Sequence, residues 1–174
     1  MSDEAYIVGR FQPLHLGHED LIAYAREAYD EVTVITAEGR DQPSDRNPLS
    51  LDEREQLLDE VYSDAQDLNM DQLPGDNEGI HTGEDEVFSI LDRYHGQPYD
   101  VTCITENPET IAALGDDYQI KAPPDTEYRD KPYRGGHVRE LAAEGDDWTV
   151  GVSDQVADEL DELGFEERME ELWD

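Results

Sequence analysis

Two hydrophobic periods take turns along this chain. Short β-branched and aromatic runs at Ala5–Gly9, Glu31–Thr36, Val101–Thr105 and Tyr118–Ala122 predict strands, with a weaker one near Asn69–Leu73. Between them the apolar residues recur at helical spacing, as Leu21, Ile22, Ala25 and Ala28 do in a helix predicted over Gly17–Tyr29. Further helices are predicted over Ser50–Tyr62, Asp85–His95, Gly136–Glu144 and Ser153–Leu163, with a short one from Pro108. Ser50 and Glu53 form the sequence signature of a capping box at the start of the second helix. Strands alternating with helices imply an α/β fold with a doubly wound parallel sheet, whose ligands sit beyond the carboxyl ends of the strands. Residues 1–174 are expected to form one domain, with a C-terminal helical part from about 135 to 174. There, Val156, Leu160, Leu163, Phe165, Met169 and Leu172 alternate with acids in an amphipathic pattern that packs on the domain.

Each candidate chemical feature follows a predicted strand. After Ala5–Gly9 comes Arg10-Phe11-Gln12-Pro13-Leu14-His15-Leu16-Gly17-His18, so two histidines stand where a loop becomes a helix. The first turn of a helix has backbone N–H groups without intrahelical partners and the positive end of the dipole, which stabilise a bound anion. Gly17 allows close approach, and His15 and His18 can converge on the same phosphate oxygens. A surface helix merely capped by histidines is the plainer alternative, but strand, loop and amphipathic helix here occur together. Neither a G-x-x-x-x-G-K-[ST] loop nor a G-x-G-x-x-G after a strand is present.

Charge narrows the picture. Forty-six acids against twelve bases give a net charge of −34, spread along the whole chain. The periodic strands and helices argue against a disordered acidic chain, and adaptation to molar salt is the reading that remains, since repulsion there is screened over about 3 Å. A halophile's cytoplasmic protein is expected. Nucleic acid and anionic membranes suit such a surface poorly, no apolar run approaches a membrane span, and the N-terminal residues lack a signal peptide's positive start. The single Cys103 lies in an apolar strand pattern and reads as packing. Five of the twelve bases, Lys121, Arg129, Lys131, Arg134 and Arg139, nevertheless fall within 19 positions. They suggest a clamp for a triphosphate, or else local salt bridges with Asp125, Glu127 and Asp130. His81, His95 and His137 have no metal-ligand spacing, so no protein metal site is expected.

The run Gly9-Arg-Phe-Gln-Pro-Leu-His-Leu-Gly-His18 resembles the H-x-G-H nucleotidylyltransferase superfamily, in particular the archaeal type of nicotinamide mononucleotide adenylyltransferase. Arg46-Asn-Pro-Leu-Ser-Leu-Asp-Glu-Arg54 is similar to that family's arginine-bearing loop, and Thr105-Glu-Asn-Pro108 to its strand-end S-x-N-P. Ala122-Pro-Pro and Tyr128-Arg-Asp130 resemble the approach to the family's last motif, S-x-T-x-[IV]-R. That motif stands here as Arg134-Gly-Gly-His-Val-Arg139, with the arginine kept and both hydroxyls gone. Gly135 and Gly136 at a helix start could replace them with backbone donors.

The resemblance implies a Rossmann-like fold and adenylyl transfer from ATP to nicotinamide mononucleotide, giving NAD and pyrophosphate. By matched position, His15, His18 and Arg139 would be catalytic, and Arg10, Phe11, Gln12, Gly17, Arg46, Arg134, Gly135 and Gly136 would bind ATP and its phosphates. Phe88 and Asn107 would meet the acceptor, although Phe88 reads equally as a core aromatic. Mg2+ would travel with ATP, and the family's habit suggests a homohexamer. Two other readings stay open: a sister adenylyl- or cytidylyltransferase with another phosphorylated acceptor, and a non-catalytic nucleotide sensor.

Overall fold

A computed structural model describes residues 4–36, 43–45, 47–72, 102–104, 119–121 and 135–173. Its strands are β1 (Glu4–Gly9), β2 (Glu31–Thr36), β3 (Leu68–Gln72), β4 (Thr102–Ile104) and β5 (Gln119–Lys121). The helices are α1 (Leu16–Ala28), α2 (Leu51–Tyr62), α3 (Gly135–Glu144), α4 (Asp154–Glu162) and α5 (Phe165–Leu172), with a 3-10 turn at Trp148–Gly151. The helices expected over Asp85–His95 and from Pro108 lie outside the described residues.

The described chain groups into two compact units. The first comprises Met1–Gly9, Leu21–Glu38 and Gln66–Asp125. It carries a five-stranded sheet in the order β3-β2-β1-β4-β5, parallel throughout, with Ala5 opposite Val32 on one side and Thr102 on the other. The chain winds outward from β1 to β3 and then returns to β4, so the winding reverses between β1 and β4. This is the Rossmann-like, doubly wound α/β arrangement expected. Ala5, Tyr6 and Ile7, and Val34, Ile35 and Thr36, are buried in succession, as in strands covered on both faces. Within this unit Arg26 of α1 forms a bidentate pair with Asp67 just before β3, both bonds 2.9 Å long. The arginine holds the Asp67 carboxyl below its ordinary range.

The second unit, Arg10–Asp20, Gly39–Ala65 and Thr126–Asp174, holds the histidine loop, α2 and the C-terminal helices. The capping box is formed as the sequence implies: Ser50 caps α2, its hydroxyl accepting from Glu53 N–H while the Glu53 carboxylate accepts from Ser50 N–H. Gly164, left-handed at φ 70°, breaks the C-terminal amphipathic stretch into α4 and α5. α3 packs on α5 and α2 on α4. Trp148 meets Phe165 edge to face with ring centres 5.3 Å apart. Val138, Ala142, Val156, Leu160, Phe165 and Met169 are wholly buried, so the acid-rich C-terminus is a packed part of the unit.

Candidate phosphate-binding site

All the site residues that the structure describes belong to the second unit. β1 ends at Gly9, and the chain turns through Arg10–His15 into α1. Phe11 occupies the left-handed region at φ 51°, an uncommon conformation for a bulky side chain, and it is wholly buried. The carbonyl groups on either side of it are gripped by guanidinium groups. Arg54 Nη1 of α2 donates to Arg10 C=O at 2.8 Å, and Arg139 Nη1 of α3 donates to Gln12 C=O at 2.8 Å. Gln12 itself spans to the segment before α2, where its side-chain amide bonds the main chain of Leu49. Arg10 Nη1 reaches Asn47 Oδ1 at 3.4 Å. A strained loop is thus over-determined by three separate segments of sequence.

The histidines hold each other. Their rings stack with centres 3.7 Å apart and planes 22° apart. The N–H of His15 donates to Nδ1 of His18 at 3.4 Å, and the N–H of His18 donates to Nδ1 of His15 at 3.3 Å. A ring that accepts at Nδ1 carries its proton on Nε2, so each imidazole offers an Nε2–H donor. Burial, the adjacent His15 and the Arg10 guanidinium hold the His18 pKa well below the ordinary imidazole value, so His18 is neutral at pH 7. The pair stands at the start of α1, where backbone N–H groups add to the same field.

Several of the expected site residues have protein partners. The Phe11 ring is buried with its centre 4.6 Å from that of His18, so it backs the histidine. The Gln12 side chain, expected at the phosphates, is 3% exposed and has both ends of its amide engaged by Leu49. Arg139 is also buried, with Nη1 on the Gln12 carbonyl of the histidine loop. Gly17 lies in the first turn of α1, and Gly135 and Gly136 open α3. His137 follows them, partly exposed. Arg46, Arg134, Phe88 and Asn107 lie outside the described residues, as do Arg129, Lys131, His81 and His95 and the side chains of Lys121 and Cys103.

Several residues were not singled out from sequence. Arg54, wholly buried, and Arg168 of α5 are two of the twelve cations, and both are structural. Arg168 forms a bidentate pair with Glu53 at 2.7 and 2.9 Å and also donates to Pro48 C=O at 3.0 Å. Burial alone would raise the Glu53 carboxyl, but the bonds from Arg168 and Ser50 hold it below its usual range. Glu19, next to His18, is pushed up by burial, with the nearby Ser153 hydroxyl opposing. The signal for Arg54 and Arg168 was their survival in a chain that has discarded most cations.

Among the described residues no group of three or more His, Cys, Asp or Glu is placed to hold a metal ion. No described helix is long and apolar enough to cross a membrane.

A cytidylyltransferase-like family profile matches residues 6–72. The chain is 29% identical to an uncharacterised protein of Archaeoglobus fulgidus over 95% of this chain and 92% of the other. It is 27% identical to the nicotinamide-nucleotide adenylyltransferase of the same organism, over 97% and 96%. Among solved structures, the bifunctional NMN adenylyltransferase/ADP ribose pyrophosphatase of Francisella tularensis superposes with a TM-score of 0.69 at 14% identity. That match covers 98% of this chain and 53% of the larger protein, so the chain spans about half its length.

Proposed function

We propose that this chain, a nicotinamide-nucleotide adenylyltransferase-like nucleotidyltransferase, transfers AMP from ATP to nicotinamide mononucleotide, forming NAD and releasing pyrophosphate. The observation that carries the reading is the stacked His15–His18 pair at the start of α1, with each Nδ1 taken by the other residue's amide. Two preset Nε2–H donors and a helix N-terminus suit an α,β-phosphate, where charge grows as the phosphorus–oxygen bonds exchange. The acceptor's 5′-phosphate oxygen attacks the α-phosphorus, and the bond to the β-phosphate oxygen breaks. A phosphate is already a competent nucleophile, so alignment and charge stabilisation suffice without a catalytic base.

In this reading His15 and His18 hold the α- and β-phosphate oxygens, Arg10 and Arg46 face the phosphates, and Arg134 and Arg139 take the β/γ end. Phe88 and Asn107 receive the acceptor. In this reading the metal ion is brought by the nucleotide and not held in a protein cage. Mg2+ bound to the triphosphate would neutralise part of its charge. Assembly as a homohexamer belongs to the same reading and is checked by sedimentation.

A related transferase with a different phosphorylated acceptor is the second reading. It is favoured by the loss of both hydroxyls from Arg134–Arg139, and by the 29% match to an uncharacterised protein in an organism that also has the named adenylyltransferase. One assay separates the two: ATP, Mg2+ and a panel of phosphorylated acceptors in molar KCl, reading pyrophosphate and NAD. NAD from nicotinamide mononucleotide supports the first reading. Pyrophosphate only with another acceptor overturns it in favour of the second.

A further inference from the structure

The first residue of α3 lies against the histidine loop and the end of its own helix's arginine, with little room for a side chain. A Cβ on Gly135 would lie 3.0 Å from Arg139 Nη1, 3.4 Å from Gln12 C=O and 3.7 Å from His15 Cδ2. The backbone of Gly135 is not in the left-handed region, so space and not φ is what favours glycine there. At Gly136 a Cβ would meet only Arg139 Nη2, at an ordinary 3.6 Å. A helix that opens on two glycines gives up propensity at both, and at Gly135 the loss is exchanged for a close approach.

The neighbour that a Cβ would strike first is the end of the Arg139 side chain. That end is fixed from the other side by its 2.8 Å bond to Gln12 C=O. A methyl group at 135 would therefore push the guanidinium aside by a few tenths of an ångström, and the Gln12 bond would lengthen. The backbone of α3 could stay where it is.

We propose that Gly135 is a positioning residue: its missing side chain seats the Arg139 guanidinium on the Gln12 carbonyl beside His15, fixing the α3 cation and the α1 histidines in one geometry. The catalytic consequence rests on Arg139 acting at the triphosphate, as proposed above; the seat itself does not. In this proposal Gly135 acts through Arg139.

The experiment is a cycle of Gly135→Ala and Arg139→Lys, each alone and together. It reads kcat and KM for ATP, the melting temperature, and the shift of that temperature by ATP, all in molar KCl. Gly135→Ala is expected to melt near the parent, because alanine favours the helix, while kcat/KM for ATP falls by about 10-fold from a guanidinium shifted by a fraction of an ångström. In the Arg139→Lys background, where no Nη1 exists to be displaced, the same substitution is expected to change kcat/KM by less than about threefold. An equal loss in both backgrounds, or parent-like ATP use by Gly135→Ala, overturns the proposal. Should Gly135→Ala fail to fold, a folded double variant supports the seat and an unfolded one overturns it. If the parent forms no product with any acceptor, the adenylyl-transfer reading fails. The ATP-induced melting shift, read through the same cycle, then decides the seat alone.

Discussion

Both ends of the Gln12 carboxamide are bound by one residue: Nε2 donates to Leu49 C=O and Oε1 accepts from Leu49 N–H, each at 2.9 Å. The pairing copies a step of β-ladder with a side chain and fastens the strained loop at Phe11 to the segment that leads into α2.

Gln12→Met keeps the length of the side chain and removes both bonds. Leu49 is buried, so its N–H and C=O would lose partners in a place where water does not replace them, at about 1–3 kcal/mol for each orphaned group. Urea unfolding in fixed molar KCl should show that loss, with kcat falling as the histidine loop relaxes. An unchanged midpoint would mean that the bridge contributes nothing. Gln12→Glu should be less stable at pH 7 than at pH 5, because a carboxylate facing Leu49 C=O repels it until protonated.

The pH dependence of stability should show His18. Its folded pKa lies well below the 6.5 of a free imidazole, so below about pH 6.5 the unfolded chain takes up the proton first. The contribution of neutral His18 is therefore complete above pH 6.5 and is lost as pH falls toward the folded value. His18→Gln should flatten the fall in unfolding free energy between about pH 6.5 and 5. Parallel curves for variant and parent would refute the shift. His18→Ala should lower kcat by roughly 10²- to 10³-fold, since it removes the Nε2–H donor at developing charge.

Glu19 works in the opposite sense. Its carboxyl is raised above the usual 4.5 by burial, so its ionised form costs stability above the folded pKa, and that cost is relieved as pH falls through it. Glu19→Gln should accordingly stabilise the protein at pH 7, with the advantage shrinking in acid. A destabilised variant at pH 7 would show that the carboxylate is wanted for the contact with Ser153.

Strands, helices and the histidine motif were legible because each rests on local pattern. β2 over Glu31–Thr36 and the Ser50–Glu53 capping box need only neighbouring residues to specify them. The roles of Gln12, Arg54 and Arg168 were not legible, because their partners lie 37, 44 and 115 positions away in sequence, at Leu49, Arg10 and Glu53. Nothing near Gln12 in sequence shows that Leu49 takes both ends of its amide. Gly135 and Gly136 look alike in sequence, and only packing tells them apart.

Arg168→Met should expose how far α5 buttresses the start of α2. Methionine keeps most of the apolar stem but removes the paired bonds to Glu53 and the bond to Pro48 C=O. Because the pair is part-buried, with side chains 27% and 20% exposed, molar salt should screen it incompletely. A double-mutant cycle with Glu53→Gln in molar KCl should therefore retain a coupling, at the scale of a fraction to about 1 kcal/mol. A coupling of zero would reassign Arg168 to packing and to the Pro48 carbonyl.

The last prediction concerns the whole surface. A charge of −34 on 174 residues is opposed by a folding free energy of only about 5–15 kcal/mol, so the balance depends on how far the acids see one another. The screening length falls from about 30 Å at 0.01 M to about 3 Å at 1 M. At the lower value nearly every pair of acids across a small domain still interacts; at the higher one only near neighbours do. Circular dichroism should therefore show a cooperative melt in molar KCl that weakens or disappears at millimolar salt. Sucrose separates the causes, because it strengthens burial without screening charge. If sucrose restores the melt at low salt as fully as KCl does, the deficit lies in burial and not in repulsion. If the same melt appears in both salts, self-repulsion is not limiting, and the acids serve some purpose other than life in molar salt.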